Sequence, residues 1–207
     1  MSTPVEILVL YYSRTGMTAQ LARQVCRGVE SVAGARARLR TVPAVSAESE
    51  RPVTNVPDSG APFATIEDLR DTDGLALGSP TRFGNMAAPM KHYIDQGSAL
   101  WVQGALVDKP AVVFTSTQSM HGGQESTLLS MLLPLLHQGM IVMGLPYTEN
   151  ALSTTRSGGS PYGASHVVAV ASDGQLSQDE AHLARVLGAR LARIAQNLKM
   201  SRRSPGG

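Results

Sequence analysis

Residues 13–18, Ser-Arg-Thr-Gly-Met-Thr, form a polar turn between an apolar run and a segment with helical periodicity. The run, residues 5–12, has the composition of a buried strand, and apolar residues recur on one face of the segment that follows. A strand that leads into a helix N-terminus leaves unpaired backbone N–H groups and the positive end of the helix dipole pointing outward. Those groups, together with the hydroxyls of Ser13, Thr15 and Thr18, are suited to binding a phosphate.

Two better-known phosphate loops do not fit this turn. A P-loop requires a lysine soon after its second glycine, and no lysine follows Gly16. A dinucleotide fingerprint requires three glycines in a fixed spacing, and the turn has one. Two interpretations of the turn stay open: a phosphate site formed by hydroxyls, or a first helix whose own N–H groups those hydroxyls cap.

Two further polar loops follow apolar runs later in the chain, after residues 74–79 and after residues 111–116. A flavin ring needs an apolar or aromatic face, backbone donors and polar partners for its pyrimidine edge, and these loops contain such residues. The candidate cofactor-binding residues of the three loops are Ser13, Arg14, Thr15, Gly16, Met17 and Thr18; Pro80, Thr81, Arg82, Phe83, Gly84 and Asn85; and Ser116, Thr117, Gln118, His121, Gly122 and Gly123.

Strand-like and helical segments alternate along the chain, which predicts a parallel sheet covered by helices on both faces. The predicted strands are residues 5–12, 35–42, 74–79, 111–116 and 140–143, and the main predicted helices begin near residues 17, 65, 86, 124 and 178. This spacing fits a flavodoxin-like three-layer α/β sandwich with a five-stranded parallel sheet in the order 2-1-3-4-5. In that order the three polar loops meet at one edge of the sheet, around the switch point.

Length and composition predict one domain over residues 1–198 and a disordered basic tail over residues 199–207. A net charge of +2 without a basic, aromatic-rich run argues against nucleic acid as a partner. The lone cysteine, Cys26, cannot form an intrachain disulfide, so we expect a reducing, cytoplasmic location. We expect no signal peptide, and no membrane span either, because polar residues and a proline interrupt the apolar stretch 128–145.

No histidines, cysteines or carboxylates show metal-ligand spacing, so we expect no metal site. His92, His166 and His182 are assigned to structural or surface positions. The predicted helix over residues 124–136 has apolar residues on more than one face, whereas packing against one sheet needs a single apolar stripe. We therefore expect this helix to contribute to a subunit interface.

Six short segments carry a resemblance to a known family: residues 12–16, 78–86, 100–101, 114–117, 121–125 and 161–164. They extend over nearly the whole chain apart from its tail, and they resemble the WrbA family of flavodoxin-like NAD(P)H:quinone oxidoreductases. The resemblance implies FMN as cofactor, NADH or NADPH as co-substrate, and two-electron reduction of a quinone. It also implies that residues 13–18 hold the FMN phosphate, that Thr81, Arg82 and Phe83 contact the isoalloxazine, and that residues 116–123 line its far edge.

The same resemblance implies a homotetramer in which Trp101 reaches the flavin of a neighbouring subunit and binds substrate. Two residues depart from the family pattern. Thr15 stands where some members have a tyrosine thought to touch the nicotinamide cofactor, and Gln138 stands where members often have a histidine near the flavin. A glutamine can still donate and accept hydrogen bonds there, so Gln138 is included among the cofactor-binding residues, but it cannot carry a proton at neutral pH.

Three functions are compatible with these features. The leading hypothesis is an enzyme that passes a hydride from a nicotinamide to FMN and then reduces a quinone, with no catalytic residue beyond the flavin. The alternatives are a flavodoxin-type electron carrier and a non-catalytic regulatory or binding protein. Small electron carriers of this type are usually acidic, whereas this chain has a net charge of +2.

Overall fold

The computed structural model describes residues 3–45, 57, 60–170 and 174–203, and in these ranges strands and helices alternate as expected. The strands are β1 Val5–Tyr11, β2 Ala35–Thr41, β3 Gly74–Arg82, β4 Asn85–Met86, β5 Pro110–Thr117, β6 Ile141–Val142 and β7 Ala164–Val167. The helices are α1 Met17–Glu30, α2 Ile66–Arg70, α3 Ala88–Asp95, α4 Ser98–Val102, α5 Gln124–His137, α6 Ala151–Thr154 and α7 Gln178–Arg203.

The sheet has the parallel strand order β2-β1-β3-β5-β6, which confirms the predicted fold class. Its fifth position is filled by two short strands rather than one. Residues Ile141 and Val142 pair with the beginning of β5, and β7 pairs in parallel with its last four residues, Phe114–Thr117. The predicted strand 140–143 corresponds to β6, whereas β7 is not among the predicted strands, because the surrounding Gly, Pro and Ser residues favour turns.

Two apolar cores lie on opposite faces of the sheet. On one face, α1 and α7 cover Val9, Val112 and Phe114, and on the other α3 and α5 cover Leu75 and Val113. The helices α1 and α7 approach very closely at Gly28, where a Cβ atom would fall 1.9 Å from the carbonyl oxygen of Arg185. Side chains along β5 alternate between the two faces of the sheet, and Phe114 and Ser116 face α1 and α7.

The C-terminal helix is longer than the sequence predicts. Helix α7 continues to Arg203, and the Lys199 ammonium group donates a hydrogen bond to the carbonyl oxygen of Pro4 and pairs with Asp73. The helix thus includes residues 199–203 of the segment predicted to be a disordered tail, and the contacts of Lys199 join it to the rest of the domain. Residues 204–207, and most of the Pro- and Ser-containing segment 43–62, lie outside the described residues.

Candidate functional site

The first polar loop connects β1 to α1 with an open helix N-terminus. Gly16 is the N-cap residue, with a φ of 90° that favours glycine, and it has no side chain with which to cap the helix. Ser13 Oγ accepts a hydrogen bond from Gly16 N at 3.1 Å, while the Thr18 hydroxyl pairs with Ser116. Neither hydroxyl caps the first turn, so its N–H groups remain available to a ligand. This geometry favours the anion-site interpretation of the turn.

A cavity of about 400 Å³ lies at the carboxyl edge of the sheet, and residues from all three predicted loops line it. The lining residues are Ser13, Arg14, Thr15, Met17, Thr18, Pro80, Thr81, Arg82, Ser116, Thr117, Gln118 and Val168. Hydroxyl groups, two guanidinium groups and a helix N-terminus converge here, and these are donors that suit a phosphate. We call this space the loop cavity.

Buried hydroxyl pairs join the loops to the elements beneath them. Thr18 Oγ1 lies 2.8 Å from Ser116 Oγ, and Thr81 Oγ1 lies 2.6 Å from the hydroxyl of Thr127 on α5. The hydroxyl of Thr117 donates to the carbonyl oxygen of Ser119 at 2.9 Å and closes the start of the third loop. These bonds hold the donor side chains in place before any ligand binds.

The second loop is the tip of the β3–β4 hairpin. Phe83 is fully exposed and has a φ of 52°, a strained backbone conformation for a residue with a Cβ. Asn85 turns away from the loop cavity toward α5, because its Oδ1 accepts hydrogen bonds from Met86 N at 2.7 Å and Ser130 Oγ at 3.3 Å. Gly84 lies close to α5 as well, where a Cβ would be 3.0 Å from Ser126 Oγ.

The second half of the third loop borders a different space. His121 and Gly123 line a neighbouring cavity of about 410 Å³. Residues between α6 and β7, among them Ser157 and Ser160, line it as well. Gly122 closes a turn by donating its N–H to the carbonyl oxygen of Ser119. The third loop therefore separates the loop cavity from this second cavity.

Trp101 and Gln138 lie at the opposite, amino edge of the sheet. Trp101 is on the short helix α4 rather than in a loop, is half exposed, and donates from Nε1 to the carbonyl oxygen of His137 at 3.1 Å. Both residues line a cavity of about 390 Å³ that shares no lining residue with the loop cavity in the described structure. Because the eight residues of β5 span about 25 Å, one chain does not bring Trp101 to its own loop cavity.

Doubly wound α/β proteins bind their ligands at this edge of the sheet, and the loop cavity lies there. Comparison with known proteins shows the family of the chain. The profile of the family described as NADPH-dependent FMN reductase matches residues 5–150, which is more than half of the chain. The chain belongs to this FMN reductase family. The matched region includes all three loops and ends just before α6.

Curated relatives match the chain along almost its full length. A protein of Syntrophobacter fumaroxidans named NAD(P)H dehydrogenase (quinone) is 43% identical over 201 residues, which cover 94% of this chain and 98% of that protein. A protein of Geotalea daltonii with the same name is 38% identical, covering 96% of this chain and all of that protein. These relatives confirm the predicted resemblance to flavodoxin-like NAD(P)H:quinone oxidoreductases.

Solved structures show the same fold at low sequence identity. A flavodoxin, WrbA-like protein from Agrobacterium tumefaciens superposes with a TM-score of 0.65 at 22% identity, covering 93% of this chain and 98% of that one. Flavodoxin 1 from Bacillus cereus gives a TM-score of 0.56 at 13% identity, with 91% and 97% covered. The flavodoxin-like architecture of this FMN reductase family member is therefore established.

Three features of this family member were not predicted from the sequence. Val168, just after β7, lines the loop cavity, and Thr127 holds Thr81 through their hydroxyls. His166 on β7 is completely buried and bonds Glu180 of α7. Ser177 and Glu180 form a capping box at the start of α7, which is a local pattern. No local pattern indicates that the Glu180 carboxylate also bonds His166, 14 residues earlier in the chain.

Two kinds of feature are absent from the described residues. In residues 3–45, 57, 60–170 and 174–203, no group of three or more His, Cys, Asp or Glu side chains is arranged to hold a metal ion. No helix in those ranges combines the length and the apolar character that a membrane crossing requires.

Proposed function

We propose that this chain is an FMN-dependent oxidoreductase that transfers two electrons from NADH or NADPH to a quinone, with its FMN in the loop cavity. One observation carries the proposal: residues of three separate loops line one cavity at the carboxyl edge of the sheet. The FMN reductase family and the relatives named NAD(P)H dehydrogenase (quinone) support the same activity. FMN would supply the hydride and electron chemistry, and the protein would bind and orient it.

The residues of the loop cavity fit an FMN phosphate and the start of its ring. Ser13, Thr15, Thr18 and the first-turn N–H groups of α1 would bind the phosphate, with Arg14 beside them to balance its charge. Arg82 is the second cation of the cavity, and a positive charge near the ring stabilises the reduced flavin anion. Phe83, exposed at the hairpin tip, is available as an aromatic face.

We further propose that the site is shared between subunits of a homotetramer. Leu129, Leu133 and Leu136 of α5 are exposed, and exposed leucines on one helix are costly unless another surface covers them. The Trp101 of a neighbouring subunit would cover the open side of the loop cavity, since its own chain places it at the far edge of the sheet. Gln138, beside Trp101, would then approach the flavin from the same neighbour. Dependence on NAD(P)H agrees with the predicted cytoplasmic location.

Steady-state assays with and without added FMN test the proposal. We expect NADH or NADPH oxidation that requires both benzoquinone and FMN and that continues over many turnovers. An electron carrier would bind FMN but would not accept hydride from NAD(P)H at a useful rate. A non-catalytic binding protein would show neither activity, and either result would contradict the proposal.

A further inference from the structure

His166 and Glu180 form a buried, hydrogen-bonded pair. The side chains are almost fully buried, and His166 Nδ1 lies 2.9 Å from Glu180 Oε2. The carboxylate also accepts three backbone N–H bonds, from Ser177 at 2.8 Å, Gly158 at 2.9 Å and Val167 at 3.0 Å. All of these backbone partners are donors, so the carboxylate acts only as an acceptor and the histidine carries a hydrogen on Nδ1.

The ionisation of Glu180 follows from the same contacts. Burial alone would raise the pKa of Glu180, but the hydrogen bonds from His166, Ser177, Val167 and Gly158 outweigh it and hold this pKa below its ordinary value. A negative charge therefore lies next to the imidazole in the interior of the protein.

The other ring nitrogen of His166 has no partner. Nε2 is buried and makes no hydrogen bond to any described residue. With Nδ1 protonated, Nε2 is either an acceptor without a donor or, after a second protonation, the N–H of an imidazolium. A buried acceptor without a donor is costly, so this atom needs a further charge or bond to explain it.

The strand register places His166 beside Ser116, a residue that lines the loop cavity. His166 on β7 pairs with Ser116 on β5, and paired residues of parallel strands face the same side of the sheet. The hydroxyl of Ser116 lies 2.8 Å from that of Thr18 in the first turn of α1. His166 is therefore the sheet neighbour of a residue in the cavity where the phosphate would bind.

The charged groups around His166 come from the elements packed on β7, which are β5, α1 and α7. The paired segment of β5, residues 114–117, has no ionisable side chain. Helix α7 contributes Glu180 and its neighbour Asp179, while α1 turns Thr18 and Leu21 inward and exposes Arg23 and Arg27. Arg14 lies in the cavity itself, and Arg156 is exposed on the segment that donates to Glu180.

We propose that His166 is a further positioning residue for FMN, which takes up a proton on Nε2 when the phosphate dianion binds in the loop cavity. The inference rests on the proposed placement of the phosphate in the loop cavity. The proton comes from solvent, no covalent bond changes, and the resulting imidazolium is balanced by Glu180 and by the phosphate. His166 would thereby favour a phosphorylated flavin over riboflavin, which has no phosphate charge.

Calorimetric titration of the apoprotein with FMN in buffers of different ionisation enthalpy tests this coupling. Between about pH 6.5 and about pH 8.5, a phosphate with a second pKa of about 6 is already mostly dianionic, so proton uptake reports a protein group. We expect uptake approaching one proton at the lower end of this range and an FMN affinity that falls up to about tenfold per pH unit as pH rises. Riboflavin affinity should stay nearly constant with pH.

Variants assign the proton to one histidine. His166→Gln cannot be protonated, so it should lose the proton uptake and weaken FMN binding roughly tenfold at the lower pH, with little effect on riboflavin. His182→Gln serves as the control, because His182 is on the same helix as Glu180 and forms an exposed pair with Glu149. This variant should retain the coupling.

The outcomes separate this inference from the proposed function. Tight FMN binding by the parent without proton uptake, or equal pH dependence for FMN and riboflavin, would overturn the role of His166 even if the variant fails to fold. Loss of coupling in His182→Gln would overturn it as well. Failure of the parent to bind FMN at any pH would overturn the proposed function, and this inference with it.

Discussion

The hydroxyl oxygens of Thr18 and Ser116 lie 2.8 Å apart and join the first turn of α1 to the carboxyl end of β5. The two residues are separated by 98 positions in the chain, and both are buried at the floor of the loop cavity. Each hydroxyl has one hydrogen to donate, so one of them can satisfy the pair while the other is free for a ligand oxygen. A contact between two elements therefore holds these hydroxyls of the loop cavity in place.

Thr18→Ala should weaken FMN binding by roughly 1–3 kcal/mol, because it removes a charge-assisted bond to the phosphate and leaves Ser116 without its partner. Fluorescence titration with FMN measures the change. Thr154→Ala, at an exposed threonine of α6, is the matched control and should bind like the parent. Unchanged affinity in Thr18→Ala would remove this hydroxyl from the phosphate site.

Trp101→Ala should impair quinone reduction while leaving FMN affinity within about 0.5 kcal/mol of the parent, because Trp101 is outside its own loop cavity. If the Trp101 of a partner subunit forms a flat slot above the flavin, quinone and nicotinamide compete for one position and turnover is ping-pong. Initial rates measured over both substrates distinguish the patterns.

Val102→Ala is the control for the tryptophan variant, since Val102 is the adjacent exposed apolar residue of α4. Parallel double-reciprocal lines for the parent are the expected result. Intersecting lines would exclude a shared position, and full activity in Trp101→Ala would return this side chain to a packing role against His137.

Leu133→Glu should disrupt the proposed tetramer, because it introduces a charge in the middle of the exposed leucines of α5. Light scattering at micromolar concentration should show a tetramer for the parent and a smaller species for the variant. Met200→Glu replaces an exposed apolar residue of α7, outside that leucine surface, and should leave the assembly intact. A parent that is monomeric throughout would contradict the interface.

The Glu180 carboxylate should make the free energy of unfolding decrease at acidic pH. Its folded-state pKa lies below the ordinary value of 4.5, so its contribution is present above that pH and is lost as pH falls through the folded-state pKa. Glu180→Gln should lower the free energy of unfolding by about 2–4 kcal/mol near neutral pH, since four donors lose a charged acceptor.

Urea denaturation at a series of pH values tests this dependence. The difference in unfolding free energy between parent and Glu180→Gln should narrow as pH falls below about 4, where the parent carboxylate also becomes neutral. Glu67→Gln, at an exposed glutamate, is the control and should follow the parent at every pH. A difference that stays constant with pH would show that the charge of Glu180 contributes nothing to stability.

Much of the fold could be read from local patterns. The predicted helix starts near residues 124 and 178 agree with α5 and α7, and Ser177 and Glu180 form a capping box at the start of α7. Helix periodicity, capping and apolar strands act through neighbours only a few residues apart, so the sequence displays them directly. The alternation of these elements was enough to predict the sheet order and the edge at which the loops meet.

The sequence by itself determined the chemistry of the three loops, because residue types and turn positions are local properties. Only the tertiary structure decided which of those residues share a cavity. It placed Asn85 against α5, Trp101 at the far edge of the sheet, and His166 beside Ser116. The physical reason is that such placements depend on strand register and on the path of long connections. The division of the fifth strand into β6 and β7 sets the register that brings His166 next to Ser116.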